Sequence, residues 1–142
     1  NLAMLYETGR IVELDYQQAA SWYRLAVDQG HANAQFQLGL MFQEGRGAPQ
    51  NFHQAAALFS RAAEQGHALA QYNLACLYQQ GVGVPQDNQQ AYVWSSLAVA
   101  GGCRQSEAQS LRDNMARLLN SAQLVEAQRE ATLFFEQWQL QA

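Results

Sequence analysis

The amino-acid sequence repeats itself with a period of 36 residues, and this period restricts the fold more than any other feature. A shift by that length aligns residues 34–66 with residues 70–102 without a gap, and the opposite shift finds a third copy at the start of the chain. Regular self-similarity at this length is typical of solenoid proteins. One unit cannot bury its own apolar face, so neighbouring units are expected to stack around one long core.

Each copy predicts two α-helices joined by a tight turn. Leu38 and Phe42 have the four-residue spacing of one helix face, and a second apolar run around Leu58 repeats that spacing. Trp22 and Trp94 take the place of Leu58 in the other two copies. We expect their rings to fill the space between hairpins.

The ends of these helices are marked by residues suited to them. Gly45 and Gly81 stand where the first helix of a copy ends, and glycine adopts the left-handed terminal conformation without steric cost. Asp15, Asn51 and Asp87 are suitable N-caps for the second helix, and each is followed three residues later by a glutamine that can complete a capping box. The hairpin is therefore encoded locally.

The second copy reads Ala-x-x-x-Leu-Gly-x-x-Phe-x-x-Gly-x-Gly over Ala34–Gly47, and this pattern resembles a Sel1-like repeat. That family is a longer-turn relative of the tetratricopeptide repeat. The resemblance covers residues 1–102 and implies an all-α superhelical solenoid from a bacterial source, with a truncated first repeat at 1–33 and full repeats at 34–69 and 70–102. Because the sequence starts within a helical pattern and without methionine, we expect it to be a fragment.

After residue 102 the period breaks down, since Ser110 stands where the other copies have leucine. Two amphipathic helices are predicted there, the second starting near Asn120 or Ser121. Their apolar positions are Ala108, Leu111, Met115 and Leu118 in the first, and Leu124, Ala127, Ala131, Phe134 and Trp138 in the second. Terminal units of solenoids shield the last apolar face. We therefore expect residues 103–142 to form a two-helix cap.

Charge and composition exclude several classes of function. The eight cationic residues are all arginines, scattered along a chain of net charge -4, which argues against a nucleic-acid partner or an anionic membrane surface. The absence of lysine excludes Schiff-base chemistry and the lysine of a phosphate-binding loop. No apolar run approaches the roughly 18 residues that span a bilayer. A soluble protein is expected. Its compartment stays open between the bacterial cytoplasm and the periplasm or envelope, where the bacterial source is what the resemblance implies.

The histidines and cysteines predict no metal site and no cofactor. His31 and His67 are equivalent residues one whole repeat apart, and neither His53 nor a cysteine completes a recognisable ligand set. Cys76 replaces an apolar residue of the other copies, which favours packing over nucleophilic chemistry. Cys103 follows two glycines at a turn, where pairing or reaction stays open. We predict no catalytic residues.

The predicted function is non-enzymatic protein binding, with a partner peptide or helix on the concave face of the stack. If the first helix of each hairpin lines that face, as the resemblance implies, its exposed positions form an apolar ribbon flanked by amides. The predicted partner-binding residues are Met4, Phe36, Gln37, Leu40, Gln43, Tyr72, Asn73, Cys76 and Gln79, with Asn1 and Glu7 in the incomplete copy. A core role for Phe36 and Tyr72 is the alternative.

Two other functions stay open, and a second surface is a candidate for self-association. The resemblance also admits a cell-wall hydrolase or a β-lactam-interacting enzyme, and a purely structural spacer between further domains is the third possibility.

The last predicted helix carries three aromatic residues near its end, Phe134, Phe135 and Trp138. They cannot all face inward, because adjacent residues of a helix point about 100° apart. An exposed aromatic there is a candidate contact between copies of the chain.

Overall fold

The computed structural model describes residues 16–102 and 105–141, and within those ranges it contains helices and no strand. The helices are α1 (residues 16–28), α2 (Ala32–Glu44), α3 (Phe52–Glu64), α4 (Ala68–Gln80), α5 (Asn88–Ala100), α6 (Gln105–Leu118) and α7 (Ser121–Gln141). Two hairpins, α2 with α3 and α4 with α5, are joined because α3 packs on α4. The predicted all-α solenoid of stacked hairpins is confirmed. The predictions for Asn1, Met4, Glu7, Asp15 and Cys103 fall outside the described residues.

The turn inside each hairpin depends on glycine for two separate reasons. Gly45 and Gly81 end α2 and α4 in the left-handed region, with φ of 71° and 70°, as the sequence predicts. Gly83 also has a positive φ of 74°. A β-carbon at this position would collide with the backbone carbonyl of Phe52 at the start of α3, and Gly47 has the equivalent restriction. Gly47 and Gly83 thus let each hairpin turn pack closely on the repeat before it.

Side-chain caps start the second helix of each described hairpin. Asn51 Oδ1 accepts a hydrogen bond from the Gln54 amide at 3.1 Å, and Asp87 Oδ1 accepts from the Gln90 amide at 3.1 Å. Both predicted N-caps are confirmed. The reciprocal half of the capping box is not made at Asp87, because the Asp87 amide donates to the carbonyl of Tyr78 at 3.0 Å. Gln90 Nε2 donates to the carboxylate of Glu130 on α7 at 3.0 Å.

The core consists of two apolar clusters that follow the chain. The larger one spans α2 to α7 and is built around Phe59, Leu74, Val93 and Met115, while the smaller one joins α1 to the first hairpin through Val27, Leu38 and Leu58. Successive repeats contribute equivalent positions to this core. The alternation of small and large side chains allows the close approach that dense packing requires.

Two buried glutamines connect neighbouring helices within the core. Gln71 Nε2 donates to the carbonyl of Ala63 at 3.2 Å, and Gln35 Oε1 accepts from Gln65 Nε2 at 2.9 Å. Gln35 and Gln71 are equivalent positions of the repeat, and both are almost fully buried. Gln71 thus bonds to a backbone carbonyl near the end of α3, where carbonyls have no partner inside the helix, and connects α4 to the preceding repeat. Gln35 instead connects α2 to the end of α3 within its own hairpin.

The last two helices differ from a regular hairpin. A reciprocal capping box starts α7, in which Asn120 Oδ1 accepts from the Gln123 amide at 2.8 Å and Gln123 Oε1 accepts from the Asn120 amide at 3.1 Å. The predicted start of this helix is confirmed. Both α6 and α7 pack against α5, so α5 lies between the preceding repeat and the C-terminal helices.

Helix α7 runs parallel to α5 in a register one helical turn longer than the repeat. Gln90 bonds to Glu130 across a separation of 40 residues, and the ring of Trp94 contacts that of Phe134 with centroids 5.0 Å apart. Equal separation along both helices requires that they run in the same direction. Since the repeat period is 36 residues, the offset adds four residues, which is about one turn of helix.

Two predicted core positions are exposed. Trp22 is 72% exposed, so its predicted packing between hairpins is wrong for the described residues. Trp94 is buried as expected, because α7 covers it. Leu118 is also exposed, contrary to prediction. It is the last residue of α6, and the turn that follows carries Leu119 rather than Leu118 to the core.

Candidate partner-binding surface

The predicted partner-binding residues of α2 and α4 lie mostly at the boundary between core and surface. The half-buried ones are Gln37, Leu40, Gln43, Tyr72, Asn73, Cys76 and Gln79. Leu40, Tyr72 and Cys76 pack with one side against the larger core cluster. A partner would therefore meet side chains that the core already holds in place.

Phe36 is the exception, and its predicted exposure is wrong. The side chain is only 5% exposed. Its ring packs against Phe59, with centroids 5.7 Å apart, and against the imidazole of His67 at 4.7 Å. Because His67 starts the first helix of the next repeat, stacking covers the ring that a single hairpin would leave exposed. Phe36 is a residue of the joint between repeats.

A cleft between α4 and α6 brings together three of the predicted residues. This α4–α6 cleft has a volume of about 410 Å³. Its lining is Tyr72, Cys76 and Gln79 from α4, with Ser106, Glu107, Ser110, Leu111 and Asn114 from α6. One wall carries an aromatic ring and a thiol, and the other carries hydroxyl, amide and carboxylate groups. Such a mixture suits a ligand with both apolar and hydrogen-bonding parts.

The residues that α6 contributes to the cleft were missed by sequence reasoning. Because the period is lost at Ser110, the sequence predicts a cap role for α6. Of the α6 residues that line the cleft, it predicts a position only for Leu111, which is expected in the core. The signal that could have found them is the polar stripe of the helix, since Glu107, Ser110 and Asn114 recur at a spacing of three and four residues.

Gln43 combines a supported backbone with a buried polar atom. Its carbonyl oxygen accepts a hydrogen bond from Gln50 Nε2 at 2.9 Å, which ties the end of α2 to the following turn. The side-chain Oε1 is buried and makes no hydrogen bond. In the next repeat, Gln86 Nε2 reaches the carbonyl of Gln79 at 3.5 Å. The two glutamines therefore have similar surroundings, but only Gln79 lines the α4–α6 cleft.

A second cavity lies under the C-terminal half of α7. It has a volume of about 320 Å³ and is walled by the end of α5, the turn between α3 and α4, and two aromatic rings of α7. Trp138 Nε1 donates to the carbonyl of Glu64 at 2.7 Å, which fixes one of those rings. Phe134 and Trp138 pack against the core, whereas Phe135 is 43% exposed. One of the three aromatic residues is thus directed outward, as the helix geometry predicts.

One of the histidines, His67, caps a helix with its side chain. His67 precedes α4, and its Nδ1 accepts a hydrogen bond from the Ala70 amide at 3.2 Å. Burial lowers the pKa of this imidazole below 6.5, although a backbone hydrogen bond opposes the shift. His31 occupies the equivalent place before α2 but makes no side-chain cap bond. Within residues 16–102 and 105–141, no group of three His, Cys, Asp or Glu residues is arranged to hold a metal ion.

Comparison with known proteins identifies the family. The family model of the Sel1 repeat matches residues 1–31, 32–67 and 68–103. The chain belongs to the Sel1 repeat family. Proteins of this family are generally modules of protein–protein interaction and typically non-enzymatic scaffolds. Two of the matched units begin at the first residues of α2 and α4. No curated protein matches the sequence.

Two solved structures of Sel1 repeat proteins are similar to this chain. One is a protective antigen of uropathogenic Escherichia coli strains with an SLR fold; it is 31% identical, with a TM-score of 0.79 over 86% of this chain and 26% of that chain. The other is a Sel1 repeat protein from Oxalobacter formigenes; it is 36% identical, with a TM-score of 0.61 over 61% of this chain and 36% of that chain. The sequence thus spans about a quarter and about a third of these two proteins. No described helix is both long and apolar enough to traverse a membrane.

Proposed function

We propose that this Sel1 repeat chain is a non-enzymatic binding module that takes a segment of another protein, either an extended peptide or a helix, on the concave face of its stack. The observation that carries the proposal is the α4–α6 cleft, where Tyr72, Cys76 and Gln79 meet the polar side of α6. The half-buried residues Leu40 and Gln43 of α2 would continue the surface toward the preceding repeat.

The physical basis is a preformed surface. Tyr72 and Cys76 are held by packing against the core, so binding would order few additional side chains and lose little conformational entropy. A tyrosine ring provides apolar contact area, and the amides of Gln79 and Asn114 can pair with the backbone of a bound segment. These features favour protein recognition over the other functions that the sequence leaves open.

A steric block of the cleft tests this proposal. Ser110→Trp places a large ring in the cleft, whereas Gln109→Trp places the same ring on the adjacent exposed position, which does not line it. Extract from the source organism is passed over the immobilised native chain and both variants, after circular dichroism shows that all three are folded. We expect proteins that the native chain and the Gln109 variant retain and the Ser110 variant loses. Equal capture by all three would contradict a binding role for the cleft.

Other activities and roles have their own tests. Turnover of a muropeptide or a β-lactam by the purified chain would instead establish the enzymatic alternative. Normal function of the full protein carrying Ser110→Trp would favour the alternative of a purely structural spacer between further domains.

We further propose that residues 103–142 close the stack, because α6 and α7 both cover α5. We also propose that copies of the chain associate through the exposed Phe135. Neither role involves a nucleic acid or insertion into a membrane.

A further inference from the structure

We propose that the cavity under α7 binds a small planar molecule that carries an uncharged carboxamide, and that an N–H of this carboxamide donates to Gln71 Oε1. The cavity has a volume of about 320 Å³, and none of its described lining residues also lines the α4–α6 cleft. The proposed ligand site is therefore separate from the proposed partner-binding surface.

Gln71 carries an acceptor that the described chain leaves without a donor. Its side chain is only 1% exposed and lines the cavity. Because its Nε2 donates to the Ala63 carbonyl at 3.2 Å, Oε1 is directed away from that carbonyl. No donor within residues 16–102 and 105–141 reaches Oε1, and this oxygen is not enclosed by the core. A buried acceptor that faces a cavity without a partner favours an occupant that donates to it.

The preceding repeat shows which group completes this position. Gln35 is the equivalent of Gln71, and its Oε1 accepts from Gln65 Nε2 at 2.9 Å. The equivalent of Gln65 is Gly101, and the two backbones are similar, with φ of -88° and -75°. Glycine has no side chain, so the donor and its volume are both missing at this place in the next repeat. A carboxamide on a ligand would restore the same hydrogen bond.

The walls of the cavity favour a flat and uncharged carrier for the carboxamide. None of the described lining residues is charged, and two of them, Phe135 and Trp138, are aromatic. Trp138 is held by its hydrogen bond to the Glu64 carbonyl at 2.7 Å, and its ring lies against the turn at Gly66, where a β-carbon would be 3.8 Å away. Aromatic rings pack well against a planar group, whereas an ion would enter the cavity without a counter-charge.

The size of the cavity guides the choice of probe. Its volume of about 320 Å³ lies at the lower end of the range of about 300–1,000 Å³ that is usual for sites of small ligands. Benzamide is a suitable probe, because it joins a flat apolar ring to a primary carboxamide. Acetophenone is its matched control, since a methyl group replaces the NH₂ group while the ring and the carbonyl are kept.

The test is a titration of the isotope-labelled native chain with each probe, followed by NMR. We expect benzamide to shift the backbone amide signals of Gly66 and Gly101, and to bind about fivefold more tightly than acetophenone, as one net hydrogen bond implies. A merely apolar cavity would instead prefer acetophenone, which is the more apolar probe. Because Phe135 is also the proposed contact between copies, the titration uses a concentration at which sedimentation shows single chains.

Equal binding of the two probes, or tighter binding of acetophenone, would overturn the carboxamide site. Shifts confined to another part of the chain, or no shift with either probe at millimolar concentration, would overturn it as well. None of these results bears on the α4–α6 cleft, which Ser110→Trp tests separately.

A glutamine at position 101 should close the site from within the chain. Since a β-carbon there would lie 2.8 Å from Ala68 Cβ, Gly101→Gln is combined with Ala68→Gly, and Ala68→Gly alone is the control. We expect the double variant to supply its own donor to Gln71 and to bind benzamide at least about tenfold more weakly than the control. Circular dichroism checks that both are folded. Equal affinity of the two variants for benzamide would show that Gln71 Oε1 does not receive the ligand.

Replacement of the acceptor gives an independent test. Gln71→Met keeps a side chain of similar length but removes Oε1, so the fivefold preference for benzamide should disappear while acetophenone still binds. Gln35→Met makes the same change in the preceding repeat, outside the cavity lining, and should leave the preference intact. A preference that persists in Gln71→Met would overturn the assignment.

Discussion

At the scale of single residues, His67 links the packing of two repeats to the protonation of one imidazole. Its Nδ1 must be unprotonated to accept the hydrogen bond from Ala70, and its ring stacks on Phe36. Burial lowers its pKa below 6.5 in the folded chain, so the folded state binds fewer protons than the unfolded state as the pH falls. The stabilising contribution of neutral His67 is therefore complete above pH 6.5 and is lost as the pH drops through the folded pKa.

We expect the free energy of unfolding to decrease as the pH falls below about 6.5, in part because of His67. Asparagine is also a good N-cap but does not titrate, so His67→Asn should reduce this dependence on pH. The measurement is urea unfolding of the native chain and the variant at several pH values. His31→Asn is the control, because His31 makes no side-chain cap bond. An unchanged dependence of the unfolding free energy on pH in the His67 variant would show that protonation of His67 does not cause it.

A comparison of Gly83 with Gly30 separates two costs in folding free energy, that of a left-handed backbone conformation and that of a steric collision. Gly83 and Gly30 both have a positive φ, of 74° and 83°. A β-carbon would collide with the Phe52 carbonyl at Gly83 but would meet nothing within 4 Å at Gly30. We expect Gly30→Ala to cost about 1 kcal/mol of folding free energy and Gly83→Ala to cost more than about 2 kcal/mol. Equal effects in chemical denaturation would show that the turn moves away without cost.

How far the sequence predicts the site is illustrated by Phe36 and Tyr72. They are equivalent positions one period apart, so a pattern within one repeat assigns them the same exposure. His67 covers Phe36, whereas Tyr72 is half-buried and lines a cleft with α6. The difference arises from the neighbouring unit, which a local pattern does not contain. Sequence reasoning therefore found the α4 wall of the cleft and missed its α6 wall.

At the scale of helices, the boundaries follow from local chemistry, while the placement of α7 does not. Asn51 and Asp87 cap their helices and Gly45 ends α2 in the left-handed region, as expected from their residue types alone. The parallel packing of α7 on α5 is held by contacts between residues 40 positions apart, such as that of Gln90 with Glu130. Because the period ends before α7, nothing in the repeat predicts this register.

Docking of α7 should depend on Phe134 and not on its exposed neighbour. Phe134 packs against Trp94 and Trp138, whereas Leu133 lies on the outer side of the helix. We expect Phe134→Ala to lower the free energy of unfolding by about 2–3 kcal/mol, somewhat less than the roughly 3–5 kcal/mol of a fully buried phenylalanine, and Leu133→Ala to lower it by less than about 0.5 kcal/mol. Thermal and urea unfolding measure both values. Similar losses in the two variants would mean that α7 is not held by this face.

At the scale of the whole molecule, the helices are coupled mainly to their neighbours, and α5 connects the preceding helix to both C-terminal helices. It packs against α4, α6 and α7, and its residue Val93 is fully buried in the larger cluster. Leu38 belongs to the smaller cluster, which joins α1 to the first hairpin. In a repeat stack, stability is approximately a sum of the stabilities of the units and of their interfaces. A local defect should therefore spread only as far as the interfaces that it weakens.

This coupling predicts two different patterns of hydrogen exchange. Val93→Ala should increase amide exchange throughout α4 to α7, because α5 supports both C-terminal helices, whereas Leu38→Ala should increase it in α1 to α3 and leave α6 and α7 nearly unchanged. Mass spectrometry of peptic fragments under native conditions distinguishes the two. If either variant increased exchange uniformly along residues 16–102 and 105–141, the chain would be opening as a single cooperative unit. The α4–α6 cleft would then lose its shape whenever any repeat opened, instead of depending on α4, α5 and α6 alone.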